Sequence, residues 1–278
     1  MRQIYKVQEI MSNYNIRKST LWPEGFCDEV TVTEVLPKNK TSNCAIIIFR
    51  GGAYAALCGY EGKDYACFFA ENGIVSFSVD YRVKTHKYPE QLSDARRAVQ
   101  YVRANAERYG IDKDKIAVIG SSAGGHLAAL LSTSSDNLAS EINDAVSVEN
   151  YMPNAQILCY PVICNPEFKE ISHSVSYKNL LGDNFDNLSR SVDPCILIRD
   201  DTPPAFIWHT AADNGVNVIN SIRYAEHLKV NGVSVEMHIF PDGRHGLALA
   251  NDFPHVAQWK ALLLNWLDYI GFTNNYNL

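Results

Sequence analysis

The stretch 116–130 constrains the fold of this chain more than any other part of its sequence. A short apolar run, Ile116–Ile119, ends at Gly120, and Ser122 follows two residues later, directly before an apolar helical pattern. A serine on so tight a strand-to-helix turn crowds its neighbours, so small residues are needed at Gly120 and Gly124. The G-x-S-x-G spacing between a strand and a helix is that of a nucleophile elbow, which holds a reactive serine above a strand end.

The helix that follows Ser122 adds a second chemical property to this turn. The first N–H groups of a helix have no intrahelical acceptor and lie at the positive end of its dipole, which suits a developing oxyanion. We therefore predict that the N–H of Ala123 belongs to an oxyanion hole. The loop after an early strand, Arg50–Tyr54, contains a Gly-Gly turn, which is commonplace when it stands alone. Upstream of an elbow it predicts two further donors, the N–H groups of Gly52 and Ala53.

Strand and helix patterns alternate along the chain. Apolar runs and period-two alternation predict strands at Val30–Leu36, Cys44–Phe49, Ile74–Val79, Lys115–Ile119, Ala155–Tyr160, Ala205–Thr210 and Ser234–Phe240. Amphipathic patterns predict helices at Gln91–Tyr109, Ala123–Ser132, Val218–Val230 and His255–Tyr269. This alternation predicts an α/β fold with a mainly parallel central sheet and helices on both faces.

Two segments interrupt this alternation. Residues 134–154 are polar and acidic and are predicted to be a surface excursion. Residues 164–204 are too long for a structureless loop in a compact domain, so we expect short helices that form a small insert. The first 20 or so residues are a candidate N-terminal arm. At 278 residues, the chain is otherwise expected to be a single domain.

A reactive serine needs a base and an acid from elsewhere in the chain. The predicted strand Ala205–Thr210 is followed by a loop with Asp213, and the predicted strand Ser234–Phe240 by a loop with His245. Ser122, Asp213 and His245 thus each follow the carboxyl end of a strand, where open α/β sheets place their sites. In these roles Ser122 attacks an acyl carbon, His245 transfers the proton, and Asp213 orients the imidazole.

Other acidic residues compete with Asp213 for this role. Asp242 lies three residues before His245, but Pro-Asp-Gly is ordinary turn chemistry. Asp200 and Asp201 precede a strand and are therefore expected at the opposite edge of the sheet. Asp213 is favoured by its place after a strand.

The other histidines are interpreted as structural. His126 lies on the first turn of a buried helix and is expected to be packed and hydrogen-bonded, while His209 ends a strand close to the site. Surface positions are expected for the histidines at 86, 173, 227 and 255. Because no pair has metal-ligand spacing with a nearby carboxylate, we expect no metal site.

Charge and cysteine content limit the binding partners and the cellular compartment that the sequence favours. The net charge of −6 without a basic run argues against nucleic acid and anionic membrane surfaces as partners. No apolar stretch approaches the length of a membrane span, and the first ten residues lack the apolar segment of a signal peptide. The seven cysteines, an odd number without a C-x-x-C motif, favour free thiols in a cytoplasmic protein.

Taken together, these residues resemble the esterases of the α/β-hydrolase superfamily, especially hormone-sensitive-lipase-like esterases, bacterial acetylesterases, and acetyl-xylan and feruloyl esterases. The likeness is carried by Arg50–Tyr54, Asp80–Arg82, Tyr88-Pro89, Gly120–His126, Asn179–Gly182, Thr202–Pro204, His209–Val216 and Phe240–Gly246. It implies the α/β-hydrolase fold and a serine carboxylester hydrolase without a cofactor.

The chain departs from this family pattern at two places. The oxyanion motif opens with Arg50 and closes with Ala53 instead of running His or Pro and three glycines, and Asn217 stands where a proline often follows Asp213. We therefore include Arg50 among the candidate substrate-binding residues. Tyr54 and Tyr160 join it because they follow strand ends at the active edge.

The resemblance also implies a substrate class, namely small acyl esters, with acetyl groups on sugars or short oligosaccharides as the expected substrates. A non-catalytic ligand-binding member of the same fold and a serine peptidase remain alternatives. A small-molecule ester is the expected partner, and a homo-oligomer is compatible with the sequence.

Overall fold

A computed structural model of the protein describes residues 13–135 and 142–273. These residues contain the strands β1 (Tyr14–Thr20), β2 (Thr31–Pro37), β3 (Ala45–Phe49), β4 (Val75–Asp80), β5 (Ile116–Ser121), β6 (Ala155–Cys159), β7 (Ala205–Thr210) and β8 (Val235–Phe240). They form one sheet in the order β1-β2-β4-β3-β5-β6-β7-β8. From β4 to β8 every neighbouring pair is parallel, whereas β1 and β2 form an antiparallel pair at one edge.

The helices of the described residues alternate with these strands. They are α1 (Gly59–Glu71), α2 (Glu90–Ala104), α3 (Ala106–Tyr109), α4 (Ala123–Thr133), α5 (Ser174–Leu181), α6 (Phe185–Leu188), α7 (Ile219–Val230) and α8 (Trp259–Tyr269), with 3₁₀ turns at Gly182–Asn184 and Val256–Gln258. Within the part of the chain that the structure describes, no helix has both the length and the apolar composition needed to cross a membrane.

Helices cover both faces of the sheet because successive strand side chains point to opposite sides. In β3, Ile47 belongs to one apolar cluster, which also includes α2, α4 and α7, and Ile46 to the other, which includes α1 and α8. All residues of β3 and β5 are buried, which explains their continuous apolar runs. The structure thus has the predicted α/β-hydrolase architecture, with β5 near the middle of the sheet.

The predicted strands agree with the observed ones to within about two residues. The predicted helix Gln91–Tyr109 is divided at Asn105 into α2 and α3, and Gly110 ends it in the left-handed conformation with φ 61°. Two elements were not predicted. The helix α1 is one, and the edge strand β1 is the other; it lies within the predicted arm, of which residues 1–12 fall outside the described residues.

The predicted insert at 164–204 contains α5, the 3₁₀ turn and α6. Two of its hydrogen bonds reach the loops that follow β3 and β5. Asn179 Nδ2 donates a hydrogen bond of 2.8 Å to the carbonyl of Ala53, and the carbonyl of Val192 lies 2.8 Å from His126 Nε2. The insert therefore packs beside the loops that follow β3 and β5.

Candidate active site

Ser122 lies on a strained turn between β5 and α4. Its backbone has φ 54° and ψ −118°, a conformation that residues other than glycine rarely adopt. Ser122 is 6% exposed. A Cβ on Gly120 would lie 2.1 Å from the carbonyl oxygen of Gly124, and a Cβ on Gly124 would lie 2.1 Å from that of Phe49. The two glycines are therefore required by close backbone approaches, as the sequence predicts.

The structure brings the three predicted catalytic residues together. His245 Nε2 lies 2.8 Å from Ser122 Oγ, and His245 Nδ1 lies 2.7 Å from Asp213 Oδ2. Since an ionised carboxylate only accepts hydrogen bonds, Nδ1 carries the proton and Nε2 is free to accept the hydroxyl proton. This geometry can raise the nucleophilicity of the serine as it loses its proton to the imidazole.

Asp213 is held in its ionised form. Its Oδ1 accepts the backbone N–H groups of Gly215 and Val216 at 2.8 and 2.9 Å, and its Oδ2 lies 3.3 Å from His209 Nε2. Burial raises the pKa of Asp213, but the hydrogen bonds from His209 and His245 outweigh this effect and hold the pKa below its usual value. His209, near the end of strand β7, therefore also helps to hold the Asp213 carboxylate in place.

The competing acids lie elsewhere. Asp242 is exposed, and His245 Nδ1 contacts Asp213 instead. Asp201 pairs with Arg199 at 2.8 Å before the start of β7, at the opposite edge of the sheet, and Asp200 is exposed there.

The loop after β3 approaches the elbow closely. A Cβ built onto Gly51 would lie 3.1 Å from the Cβ of Ser122. Gly52, Ala53 and Tyr54 have positive φ angles of 132°, 54° and 59°. Within residues 13–135 and 142–273, no acceptor is found for the N–H groups of Gly52 and Ala53. These two groups, with the first N–H of α4 at Ala123, remain the predicted oxyanion donors.

Arg50, the first residue of this loop, has a side chain that points away from the triad. Its guanidinium pairs with Asp80 at the end of β4, and its side chain is 14% exposed. It lines a cavity of about 230 Å³ together with Lys63 and Cys67, and no residue of the triad lines that cavity. The structure therefore does not place the Arg50 guanidinium at the mouth of the substrate site. The Asp80 carboxylate holds it on the side of the loop that faces this cavity.

The two predicted substrate-binding tyrosines are buried. Tyr54 Oη lies 2.7 Å from Nδ1 of His126, and Tyr160 donates its hydroxyl proton to Glu61 Oε1 at 2.9 Å. The Tyr160 ring also packs edge-on against the His245 ring, with 5.1 Å between centroids. Both tyrosines thus support the site from below, and direct substrate contact stays a prediction for them.

His126 has the structural role that the sequence predicts. It is buried between Tyr54 and the carbonyl of Val192, and burial lowers the pKa of its imidazole to about 4. It therefore joins α4 to the loop after β3 and to the insert, without contacting Ser122 Oγ.

Two residues near the site were missed. Glu61 is buried beside Gly51, in a helix that no pattern in the sequence predicted. His173 was expected on the surface, yet it is half-buried at the start of α5. Burial lowers its pKa, and the nearby His245 lowers it further. Only the folding of the insert over the site gives His173 this position, so no local pattern could have revealed it.

No cluster of three or more metal-ligating side chains occurs in the part of the chain that the structure describes. All seven cysteines are free thiols, three of them buried.

A family model and individual known proteins are similar to most of this chain. The BD-FAE family model matches residues 35–228. The chain is 34% identical over 223 residues to endo-1,4-beta-xylanase B of Butyrivibrio fibrisolvens, covering 76% of this chain and 33% of that protein. It is 30% identical over 246 residues to an acetylxylan esterase of Xylanibacter ruminicola, covering 84% and 47%. The chain thus spans a third to about half of the length of these curated relatives.

A solved structure is similar over nearly its whole length. It is the acetyl ester-xyloside bifunctional hydrolase of Caldicellulosiruptor lactoaceticus, which superposes with a TM-score of 0.85 at 36% identity. The superposition covers 92% of this chain and 97% of that one.

Proposed function

The chain belongs to the BD-FAE family, and from this premise we propose that it is a serine carboxylester hydrolase that uses Ser122, His245 and Asp213. The observation that carries this proposal is the contact of 2.8 Å between His245 Nε2 and Ser122 Oγ at the strand-to-helix turn. A serine whose proton has an acceptor at hydrogen-bond distance can attack an acyl carbon.

The reaction proceeds through an acyl-enzyme. Ser122 Oγ attacks the ester carbonyl carbon while its proton passes to His245 Nε2, and the oxyanion accepts hydrogen bonds from Gly52, Ala53 and Ala123. His245 then gives the proton to the ester oxygen, so the alcohol leaves and the acyl group stays on Ser122. Water, deprotonated by His245, attacks the acyl-serine, and the carboxylic acid departs as the serine regains its proton.

Asp213 supports both halves of this reaction. Its ionised carboxylate fixes the tautomer of His245 and stabilises the imidazolium formed at each step. The backbone N–H groups of Gly215 and Val216 keep the carboxylate in place. The lowered pKa of Asp213 ensures that it stays charged at neutral pH.

We propose acetyl esters of sugars, first among them acetylated xylose-based oligosaccharides, as substrates. The support comes from the acetylxylan esterase and the acetyl ester-xyloside hydrolase to which the chain is similar. We further propose a cytosolic setting, which the seven unpaired thiols support.

The decisive experiment compares the wild type with Ser122→Ala. The wild type should hydrolyse p-nitrophenyl acetate and release acetate from acetylated xylo-oligosaccharides, and Ser122→Ala should lower kcat by about 10⁴-fold or more. Ser121→Ala is the matched control. Its buried hydroxyl contacts Tyr65 and not His245, so its kcat should stay within about threefold of wild type.

The alternatives give different results in the same assay. A wild type that binds acetylated sugars without releasing acetate would indicate a non-catalytic binding protein. Cleavage of peptide anilides together with inertness toward esters would indicate a peptidase. Full activity of Ser122→Ala would refute the proposed nucleophile.

A further inference from the structure

A buried carboxylate next to the loop after β3 has no part in the mechanism described so far. Glu61 lies in the first turn of α1 and is 2% exposed. Its two oxygens are used separately. Oε2 accepts the backbone N–H of Gly51 at 2.6 Å, and Oε1 accepts the hydroxyl proton of Tyr160 at 2.9 Å.

The second partner extends the connection to the loop that carries His245. The hydroxyl oxygen of Tyr160 accepts the backbone N–H of Ala248 at 3.0 Å, three residues after His245. A neighbouring residue in the same turn of α1 repeats this link, since Tyr60 donates its hydroxyl proton to the carbonyl of Gly246 at 2.9 Å. The first turn of α1 therefore contacts the two loops on either side of Ser122.

The partners of Glu61 require two acceptor oxygens. Gly51 offers only an N–H donor, and the Tyr160 oxygen already accepts from Ala248, so its hydroxyl donates to Glu61. An ionised carboxylate satisfies both donors, whereas a glutamine of the same shape has a single acceptor oxygen. The glutamine NH₂ group would face one of the donors, leaving that donor without an acceptor.

The charge on Glu61 has a cost in stability. Burial raises the pKa of Glu61 more than the hydrogen bonds from Gly51 and Tyr160 and the nearby His245 and Arg50 lower it. A carboxyl whose pKa is raised by folding stabilises the folded state below its unfolded pKa and loses this contribution as pH rises. At neutral pH, the ionised form of Glu61 therefore does not stabilise the folded protein.

We propose that Glu61 is a positioning residue that fixes the Gly51–Ala53 loop and the His245 loop relative to each other and thereby sets kcat. This inference rests on the proposed esterase function. A misplacement of about 1 Å between the oxyanion donors and the base lowers rates by about 100-fold. Because Glu61 is buried and its hydrogen bonds go to Gly51 and Tyr160, we expect its effect in the chemical step and not in substrate affinity.

The test uses Glu61→Gln in the full chain with p-nitrophenyl acetate. We expect kcat to fall by about 30- to 100-fold, KM to stay within about threefold, and the thermal midpoint to change little, because the loss of a buried charge and the unpaired donor have opposite effects on stability. Glu34→Gln is the matched control. Glu34 is equally buried, but its carboxylate contacts Ser19, Tyr101 and Arg108 far from the triad, so kcat should be retained.

A second variant keeps the test informative if Glu61→Gln does not fold. Tyr160→Phe preserves the ring against His245 and removes only the hydroxyl, and we expect kcat to fall by about 10- to 30-fold. If both residues act through one connection, the double variant should lose little beyond Glu61→Gln alone. Independent, multiplying losses would overturn the connection.

The outcomes separate this inference from the proposed function. A wild type without Ser122-dependent esterase activity refutes the proposed function. An active wild type whose Glu61→Gln variant keeps kcat within about twofold refutes the positioning role alone. A loss of kcat that is matched in Glu34→Gln would show a general effect of buried charge and would also overturn it.

Discussion

The site has two halves that are specified in different ways. Ser122, Asp213 and His245 each follow the end of a parallel strand, and the constraints on Ser122 lie in glycines two residues away on either side. The other half, the Gly51–Ala53 loop, is held by side chains of two other elements, Glu61 of α1 and Asn179 of the insert. The positions of the catalytic residues in the first half therefore follow from strand ends and a glycine-bounded turn, whereas the position of the second half follows from side-chain hydrogen bonds that no local pattern predicts.

The largest effect should come from breaking the acid in the first half. In Asp213→Asn the amide NH₂ can face His245 Nδ1 and stabilise the wrong tautomer, so kcat on p-nitrophenyl acetate should fall by about 10³- to 10⁴-fold. The exposed Asp242 provides the control, because Asp242→Asn leaves the contact with His245 intact. Equal losses in the two variants would contradict the assignment of the acid.

A methyl group should be sufficient to disrupt the elbow. Gly124→Ala places a Cβ 2.1 Å from the carbonyl oxygen of Phe49, where backbone meets backbone, so we expect a loss of about 4 kcal/mol or more, or no folded protein. Gly59→Ala is a suitable comparison, since its Cβ would meet no atom within 4 Å. Urea unfolding should place Gly59→Ala within about 1 kcal/mol of wild type. Similar stability of both variants would show that the elbow relaxes.

The contact between the two halves should depend on pH. His126 is neutral when folded because its pKa is lowered from 6.5 to about 4 by burial, so the unfolded chain binds the proton first as pH falls. Neutral His126 therefore makes its full contribution to the free energy of unfolding above about pH 6.5. This contribution, about 3 kcal/mol, is lost as the pH falls toward 4.

Unfolding free energies of wild type and His126→Gln, measured between pH 7 and pH 4, check this expectation. The difference between the two proteins should be largest at pH 7 and should shrink as pH falls. Parallel pH dependences would assign the effect to other groups.

The smallest effect is expected in the second half. Ala53 has φ 54°, so Ala53→Gly relieves about 1 kcal/mol of backbone strain and gives the unfolded chain a similar amount of entropy. The unfolding free energy should therefore change by less than about 1 kcal/mol, and kcat by only a few fold, because the N–H donor is retained. A loss of kcat above about 100-fold would reveal a role for the Ala53 side chain.

The same contrast explains which parts could be predicted from the sequence. The strands β3, β5, β6 and β7 are buried, largely apolar runs, and the parallel order of the sheet places the loops after β5, β7 and β8 at one edge. That order was sufficient to predict the three catalytic residues, of which His245 lies 2.8 Å from Ser122 and 2.7 Å from Asp213. The edge strand β1 was missed because most of its side chains are exposed and give no buried pattern.

Helix α1 and the residues around it could not be predicted for a different reason. Its buried positions include Glu61 and Gly62, so its apolar stripe is interrupted where it contacts the loop after β3. Arg50 was expected to face the substrate, but its direction is decided by Asp80, thirty residues later. A buried polar group is informative only once its partners are known, and those partners lie in other elements.

The two contacts of the insert also set rules for redesign. A replacement for residues 164–204 could alter what reaches Ser122 while β6 and β7 keep their register. Such a graft must still present a donor to the Ala53 carbonyl, now supplied by Asn179, and an acceptor to His126, now supplied by the Val192 carbonyl. The graft must also replace the acceptor that the Leu180 carbonyl offers to the backbone N–H of Tyr88. A graft that meets these demands would allow selectivity to be engineered separately from catalytic power.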